Sequence, residues 1–368
     1  MKIDLADTTA SGITSALLDA RRHSGSPAMG MVLTLVVVAE EATIRDAMLA
    51  AAQAAHEHPA RVLGVIIRGG RGAARLEASV RVGGEAASGE SVLMRFYGEL
   101  SRHADSVVMP LLLPESPVVV WWPGRPPANM STDPIGSLAQ RRVADTSAGS
   151  RPLATLRNVS ANYAPGDTDL AWTRLTPWRT LLAASLDQHP ARVAAATVEA
   201  ASGSASAPLL AAWLSQRLEV DARVIRTGGP GITAVRLEVP GGEIAITRSD
   251  GRLARYSVPG QPVRSVALRR RDIAELLSEE LRRLDPDDIY AQTVQEYLAR
   301  TDATGRRATT GRSAAKKASA KRPSATKTST KKALATKKAP ATKTAAKKTS
   351  TTKTSTRRSA GPTRRSSR

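Results

Sequence analysis

The charge of this chain is not spread along it, and that separation decides which part can fold. From Thr304 to Arg368 there are 12 Lys and 9 Arg and no Asp or Glu, and Leu334 is the one apolar residue larger than alanine apart from proline. Such a segment has too little apolar surface to offset the roughly 1–2 kcal/mol that ordering each backbone residue costs, so it is expected to stay disordered. The whole chain carries 54 basic and 33 acidic residues, a formal net charge of +21. The tail accounts for all of that excess, and residues 1–303 are neutral as a set.

At roughly 150 residues per domain, a body of this length suggests two domains. We place the boundary at Ala164, giving an N-terminal α/β domain over 1–164, a C-terminal α/β domain over 165–303 and a disordered tail over 304–368. There is no cysteine, which excludes disulfides, thiolate nucleophiles and zinc-thiolate sites within the chain. The longest apolar run, Val32 to Ala39, is far short of the roughly 18–20 residues of a membrane-spanning helix. The start, Met1-Lys2-Ile3-Asp4-Leu5-Ala6-Asp7, lacks the features of a signal peptide, so a cytoplasmic protein without a membrane partner is expected. Lys2 is the only lysine before Lys316, which leaves the body without a lysine for a phosphate loop or a Schiff base other than Lys2 itself.

Hydrophobic periodicity supplies the fold class, α/β (α+β) with two mixed-sheet domains. Val32–Val38 and Arg61–Ile67 are β-branched runs of buried-strand type on either side of an Ala-rich helix, Ala42–His56. Arg75–Val82 and Glu90–Tyr97 alternate with period two, a helical stretch spans Arg102–Leu113, and Pro117–Trp122 is a strand closed by Pro123-Gly124. Asp133-Pro134 and Asp167 or Thr168 are expected helix starts, and Thr176-Pro177 restarts a helix because proline is tolerated in its first turn. Further on, Arg192–Val198, Pro208–Leu218 and Val220–Ile225 read as a second β-α-β unit, followed by a meander of three strands from Ile232 to Val258. Two helices close the body: Asp272, with Glu275 three residues on, caps the first, and Asp285-Pro286 is expected to start the second.

Candidate chemistry is sparse. His56-Glu57-His58 sits at a helix end, where the dipole favours histidine, and offers too few ligands for a metal. Gly69-Gly70-Arg71-Gly72 lacks the spacing of a dinucleotide fingerprint and is expected to be a hairpin turn; Gly228-Gly229-Pro230-Gly231 is expected to be a turn as well. Asp167 with Asp169, and Asp285 with Asp287 and Asp288, stand at helix starts, where capping explains them. We expect no catalytic, metal or cofactor-binding residues. What remains is tryptophan and arginine in irregular places: Trp121, Trp122, Trp172, Arg174, Trp178 and Arg179. Core packing is the ordinary role of tryptophan, but these residue types are also enriched at interface hot spots, and adjacent tryptophans on a strand face opposite ways, so the six are candidate partner-binding residues.

Several strings carry a resemblance: Met1-Lys2-Ile3-Asp4-Leu5-Ala6-Asp7-Thr8-Thr9, His58-Pro59-Ala60-Arg61-Val62, Pro110-Leu111-Leu112-Leu113-Pro114, Trp121-Trp122-Pro123-Gly124, the run from Pro165 to Arg179, and Leu281 to Tyr290. Together they resemble the OpcA family of glucose-6-phosphate dehydrogenase assembly proteins over residues 1 to 300. The resemblance implies a non-catalytic assembly factor and allosteric activator whose partner is glucose-6-phosphate dehydrogenase, acting in the oxidative pentose phosphate pathway. It also implies that the cysteine-based redox control of photosynthetic members cannot operate through this chain.

The tail lies outside that resemblance and is similar to lysine-rich tails of linker histones. Its paired lysines, Lys316 and Lys317, Lys331 and Lys332, Lys337 and Lys338, Lys347 and Lys348, are candidates for binding nucleic acid or another polyanion. That binding would be salt-sensitive and indifferent to sequence, and without an aromatic residue the segment cannot stack on bases. Tethering to a polyanion is therefore the alternative function.

Overall fold

The β-branched runs and two-residue alternation of the first half come together in one eight-stranded sheet. Its elements are β1 (Lys2–Leu5), α1 (Ala10–Ser24), β2 (Leu33–Val38), α2 (Ile44–Glu57), β3 (Ala60–Gly69), β4 (Arg75–Val82), β5 (Glu90–Tyr97), α3 (Ala104–Val108), β6 (Val118–Trp122), β7 (Arg141–Ala144), α4 (Pro152–Ala161) and β8 (Asp167–Asp169). The computed structural model describes residues 1–24, 30–83 and 89–319, with side chains as far as 303.

The strand order is β1-β4-β5-β3-β2-β6-β7-β8. The six strands from β5 to β8 are parallel, whereas β4 runs against β5 and β1 against β4. The chain builds outward from β2 to β3 and β5, then returns to the other side of β2 for β6, β7 and β8. This doubly wound order places a topological switch point between β2 and β6, at the carboxyl ends of the strands.

Both faces of this sheet are covered, as a parallel sheet requires. One face sets Val36, Leu63, Val65, Val120 and Trp122 against α1 and α3. The other sets Leu35, Val37, Val62, Val119 and Trp121 against α2. Adjacent tryptophans thus enter two different cores, the geometry that period-two alternation demands.

The chain continues through α5 (Leu170–Thr173) and α6 (Thr176–Gln188) to β9 (Ala195–Ala200), α7 (Ser206–Leu218), β10 (Ala222–Arg226), β11 (Ile232–Val239), β12 (Gly242–Thr247), β13 (Leu253–Ser257) and β14 (Arg264–Ala267). This second sheet is ordered β10-β9-β11-β12-β13-β14. Only β9 and β10 are parallel, joined by α7, and the remaining pairs form an antiparallel meander. The body ends with α8 (Ile273–Arg282) and α9 (Asp288–Ser319).

The two closing helices divide their work. Tyr290 and Val294 of α9 join Trp172, Trp178, Leu209 and Leu237 in the core beneath the second sheet. Leu276, Leu277 and Leu281 of α8 instead pack with α2 on the first sheet. The first sheet therefore takes its last strand, β8, and part of its cover from residues beyond 164, and Met1–Ser313 form one compact unit.

Several local expectations are corrected. Asp167 and Thr168 belong to β8, and the cap of α5 is Asp169, whose carboxylate accepts from the Ala171 amide at 2.8 Å. The last helix starts at Asp288, with Asp287 accepting from the Tyr290 amide at 3.0 Å, and Asp285 forms a bend ahead of it. The glycine run after β3 is not a hairpin: β5 lies between β3 and β4, so the run is a crossover with Gly69 and Gly70 at positive φ. Asp133 leads only into a 3-10 turn, Gly136–Leu138, and the Arg102–Leu113 stretch shrinks to α3 flanked by 3-10 turns. The cap at Asp272 is a full capping box with Glu275, at 2.9 and 3.0 Å.

Candidate functional site

The break between α5 and α6 collects most of the residues singled out in the sequence. Trp172 donates its indole N–H to Asp287 at 2.8 Å, lies 5.8 Å from the Tyr290 ring, and carries the Arg179 guanidinium 3.7 Å above its own ring. Trp178, in the first turn of α6, carries the Arg248 guanidinium at 4.9 Å. Two arginine-on-indole stacks therefore flank the break, an arrangement that places a desolvated cation on the negative face of a π system. Burial lowers the pKa of both guanidiniums, that of Arg248 to about 10.

The four candidate tryptophans, Trp121, Trp122, Trp172 and Trp178, are enclosed, with exposures of 1–2 %. Trp121 and Trp122 sit at the end of β6 in the two cores of the first sheet, apart from the Trp172–Trp178 cluster. Of the six candidates, only Arg174 and Arg179 are partly open to solvent. The tail candidates fall outside the described residues from 320 onward, and nothing is described of the Lys316 and Lys317 side chains.

Beneath the break lies a set of buried ionic groups. Glu280 of α8 accepts from Arg141 of β7 and from the Thr173 hydroxyl, both at 2.6 Å, and so ties α8 to β7 and α5. Arg142 pairs with Asp167 at 2.5 Å, and Arg174 clasps Asp145 with two bonds of 2.8 and 3.0 Å. Burial pushes the Asp167 carboxyl up in spite of Arg142. Asp169 is pushed up to about 7 by complete burial, with Asp145 adding to the effect, although Thr146 and the Ala171 amide pull the other way. These groups build the body: each carboxylate is occupied by a donor from a neighbouring element, and none lines the cavity beside the break.

The switch point between β2 and β6 is where a doubly wound sheet would hold a dinucleotide. Here β2 leads into Ala39-Glu40-Glu41 rather than a glycine run. Glu41 is held by Arg68 and Arg95 at 2.9 and 2.8 Å, and Glu40 by Arg125 at 3.0 Å. The guanidiniums there are engaged by these two carboxylates, and the chain after β2 has no glycine run of the kind that lets a backbone approach a pyrophosphate. Among the described residues no group of three or more His, Asp or Glu could hold a metal ion.

One cavity, of about 330 Å³, opens beside the break. It is lined by Arg174 and Trp178, by Ser204 and Ser206 at the start of α7, and by Arg248, Arg269, Arg270 and Arg271. Sequence reasoning singled out Arg174 and Trp178 but passed over the others. Two signals mark them: Ser202-Gly203-Ser204 between a strand and a helix, and the Arg269-Arg270-Arg271 triplet.

Residues 51–161 match the glucose-6-phosphate dehydrogenase subunit N-terminal domain, and residues 165–294 match the C-terminal domain of that subunit. A putative OxPP cycle protein OpcA from Synechocystis sp. is 27% identical over 139 residues, which are 35% of this chain and 29% of the relative. The match thus spans under a third of that protein's length. A crystal structure of an oxidoreductase from Sinorhizobium meliloti aligns with a TM-score of 0.45 at 12% identity, over 74% of this chain and 96% of that one, a likeness too low to establish a shared fold. The two adjoining domain matches cover most of the folded body, and by them the chain belongs to the OpcA family of glucose-6-phosphate dehydrogenase subunit proteins.

Proposed function

We propose that this chain is a cytoplasmic, non-catalytic partner of glucose-6-phosphate dehydrogenase that assembles and activates that enzyme within the oxidative pentose phosphate pathway. The observation that supports the reading is the match of both subunit domains, N-terminal and C-terminal, to consecutive stretches of one body. Activation requires that the body bind the active form of the dehydrogenase more tightly than the inactive one, since equal affinity shifts no population. The contact surface is the α5–α6 break, with Arg174 and Arg179 as its polar groups. The enclosed tryptophans hold that surface in shape: Trp172 and Trp178 directly, Trp121 and Trp122 through the sheet beneath.

The test is the initial rate of the dehydrogenase from the same organism at limiting glucose 6-phosphate, titrated with the full-length chain. A saturable rise, with co-elution on sizing chromatography, is expected. A flat titration without co-elution refutes the reading.

A second role rests on the charge of the tail, which holds 12 Lys and 9 Arg without an acidic residue: binding of nucleic acid or another polyanion through residues 304–368. Full-length protein should then bind duplex DNA with an affinity that falls steeply with salt, and a chain ending at Ser319 should lose most of it. DNA binding unchanged by that truncation sinks this role.

A further inference from the structure

The cavity beside α6 holds more arginines than carboxylate partners. Of its five arginines, Arg174 is paired with Asp145, Arg269 with Glu275 and Arg271 with Glu279. Among the described residues, Arg248 and Arg270 have no carboxylate within ion-pair distance. Arg270 donates to the Pro230 carbonyl. Arg248 is only 6 % exposed; it donates to the carbonyls of Leu268 at 2.8 Å and Ile232 at 3.2 Å, and its Nε has no acceptor at all. A buried cation without a counter-ion is costly. With its pKa lowered to about 10, Arg248 nevertheless keeps its charge at neutral pH.

A second, independent feature faces the same space. Helix α7, of 13 residues, begins at Ser206, which lines the cavity, and its N-cap is Ala205, which offers no side-chain oxygen to the first turn. The first amides of a helix lack acceptors within it and carry the positive end of its dipole. Ser202-Gly203-Ser204 brings the chain from the end of β9 into that turn, a strand-turn-helix passage of the kind that receives phosphate.

We propose that this cavity is a binding site for a small phosphorylated metabolite. The phosphoryl group is held between Arg248, Arg270 and the first turn of α7, with the Ser204 hydroxyl as a further donor. A volume of about 330 Å³ admits the group together with a sugar-sized remainder. The inference goes beyond the dehydrogenase-partner role and does not depend on it.

The experiment uses the full-length chain and inorganic pyrophosphate as probe, at fixed ionic strength, with tryptophan emission and titration calorimetry read in parallel. Trp178 lies against Arg248 and is the one tryptophan lining the cavity, whereas the tail contains no aromatic residue, so an emission change arises in the body and not on the tail. A saturable change in emission is expected for the natural chain. Arg270→Gln, an exposed site, should weaken the midpoint about tenfold, equivalent to about 1.4 kcal/mol; Arg248→Gln should weaken it at least as much, with circular dichroism confirming its fold. Three results overturn the proposal: heat without an emission change, which places pyrophosphate on the tail; equal midpoints in the natural chain and Arg270→Gln; and no binding by either readout, which leaves the cavity to a carboxylate side chain of a protein partner.

Discussion

Asp169 is a carboxyl that the fold keeps at the expense of stability at neutral pH, and replacing it should reveal that expense as a function of pH. It is completely buried, accepts from the Thr146 hydroxyl at 2.6 Å and from the amides of Thr146 and Ala171 at 3.2 and 2.8 Å, and its pKa is pushed up to about 7 from 3.8. Raised in the folded state, such a group contributes fully below its unfolded pKa, and the contribution is lost as the pH climbs toward the folded value. Above pH 4 the unfolded chain releases the proton while the folded one retains it, so unfolding gains. By linkage the penalty is about 2 kcal/mol at pH 5 and about 4 kcal/mol at pH 8. Asp169→Asn keeps the shape, still accepts from the Ala171 amide and can donate to Thr146, but does not titrate. Urea unfolding of both proteins at pH 5 and pH 8 should show the variant gaining about 2–3 kcal/mol relative to the natural chain between the two pH values. A difference between the two proteins that does not change with pH would refute the reasoning, because it would mean that Asp169 titrates normally when folded.

Other changes test the junction and the local geometry. Glu280→Ala strands the buried Arg141 guanidinium and should cost about 3–5 kcal/mol in urea unfolding; a loss below about 1 kcal/mol would show that water replaces the carboxylate. Asp272→Ala removes one half of the capping box of α8 and should cost about 1 kcal/mol, read as a lower unfolding midpoint with an unchanged slope. Gly166 has φ +92°, and a Cβ there would overlap the Gln140 carbonyl, so Gly166→Ala should destabilise by about 1–3 kcal/mol. An unchanged midpoint would contradict the left-handed turn into β8.

Strongly patterned elements were legible in the sequence. β2, β3, β4 and β5 come from continuous or alternating apolar runs, and α8 from a cap and a leucine stripe. β7, Arg141–Ala144, was not legible because half of its residues are arginines. They are buried there only because Glu280 and Asp167, distant in sequence, supply their counter-ions. Similarly, the three residues of β8 are too few to show a period. The cavity escaped notice because its arginines are separated by long stretches of chain: Arg174, Arg248 and the 269–271 triplet meet only after the second sheet has formed.

By itself the sequence determined that the charge resides in the tail, that the body mixes strands and helices, that cysteine chemistry is excluded, and which family the chain resembles. These follow from composition, from short-range periodicity and from contiguous strings, all of which can be read within a window of about 18 residues or fewer. Only the tertiary structure decided which faces meet: that Trp121 and Trp122 enter separate cores, that α8 returns to cover the first sheet, and that Arg248 is left buried without a counter-ion. The physical reason is that burial and ion pairing depend on distances in space between residues far apart along the chain, and a linear pattern carries no such distances.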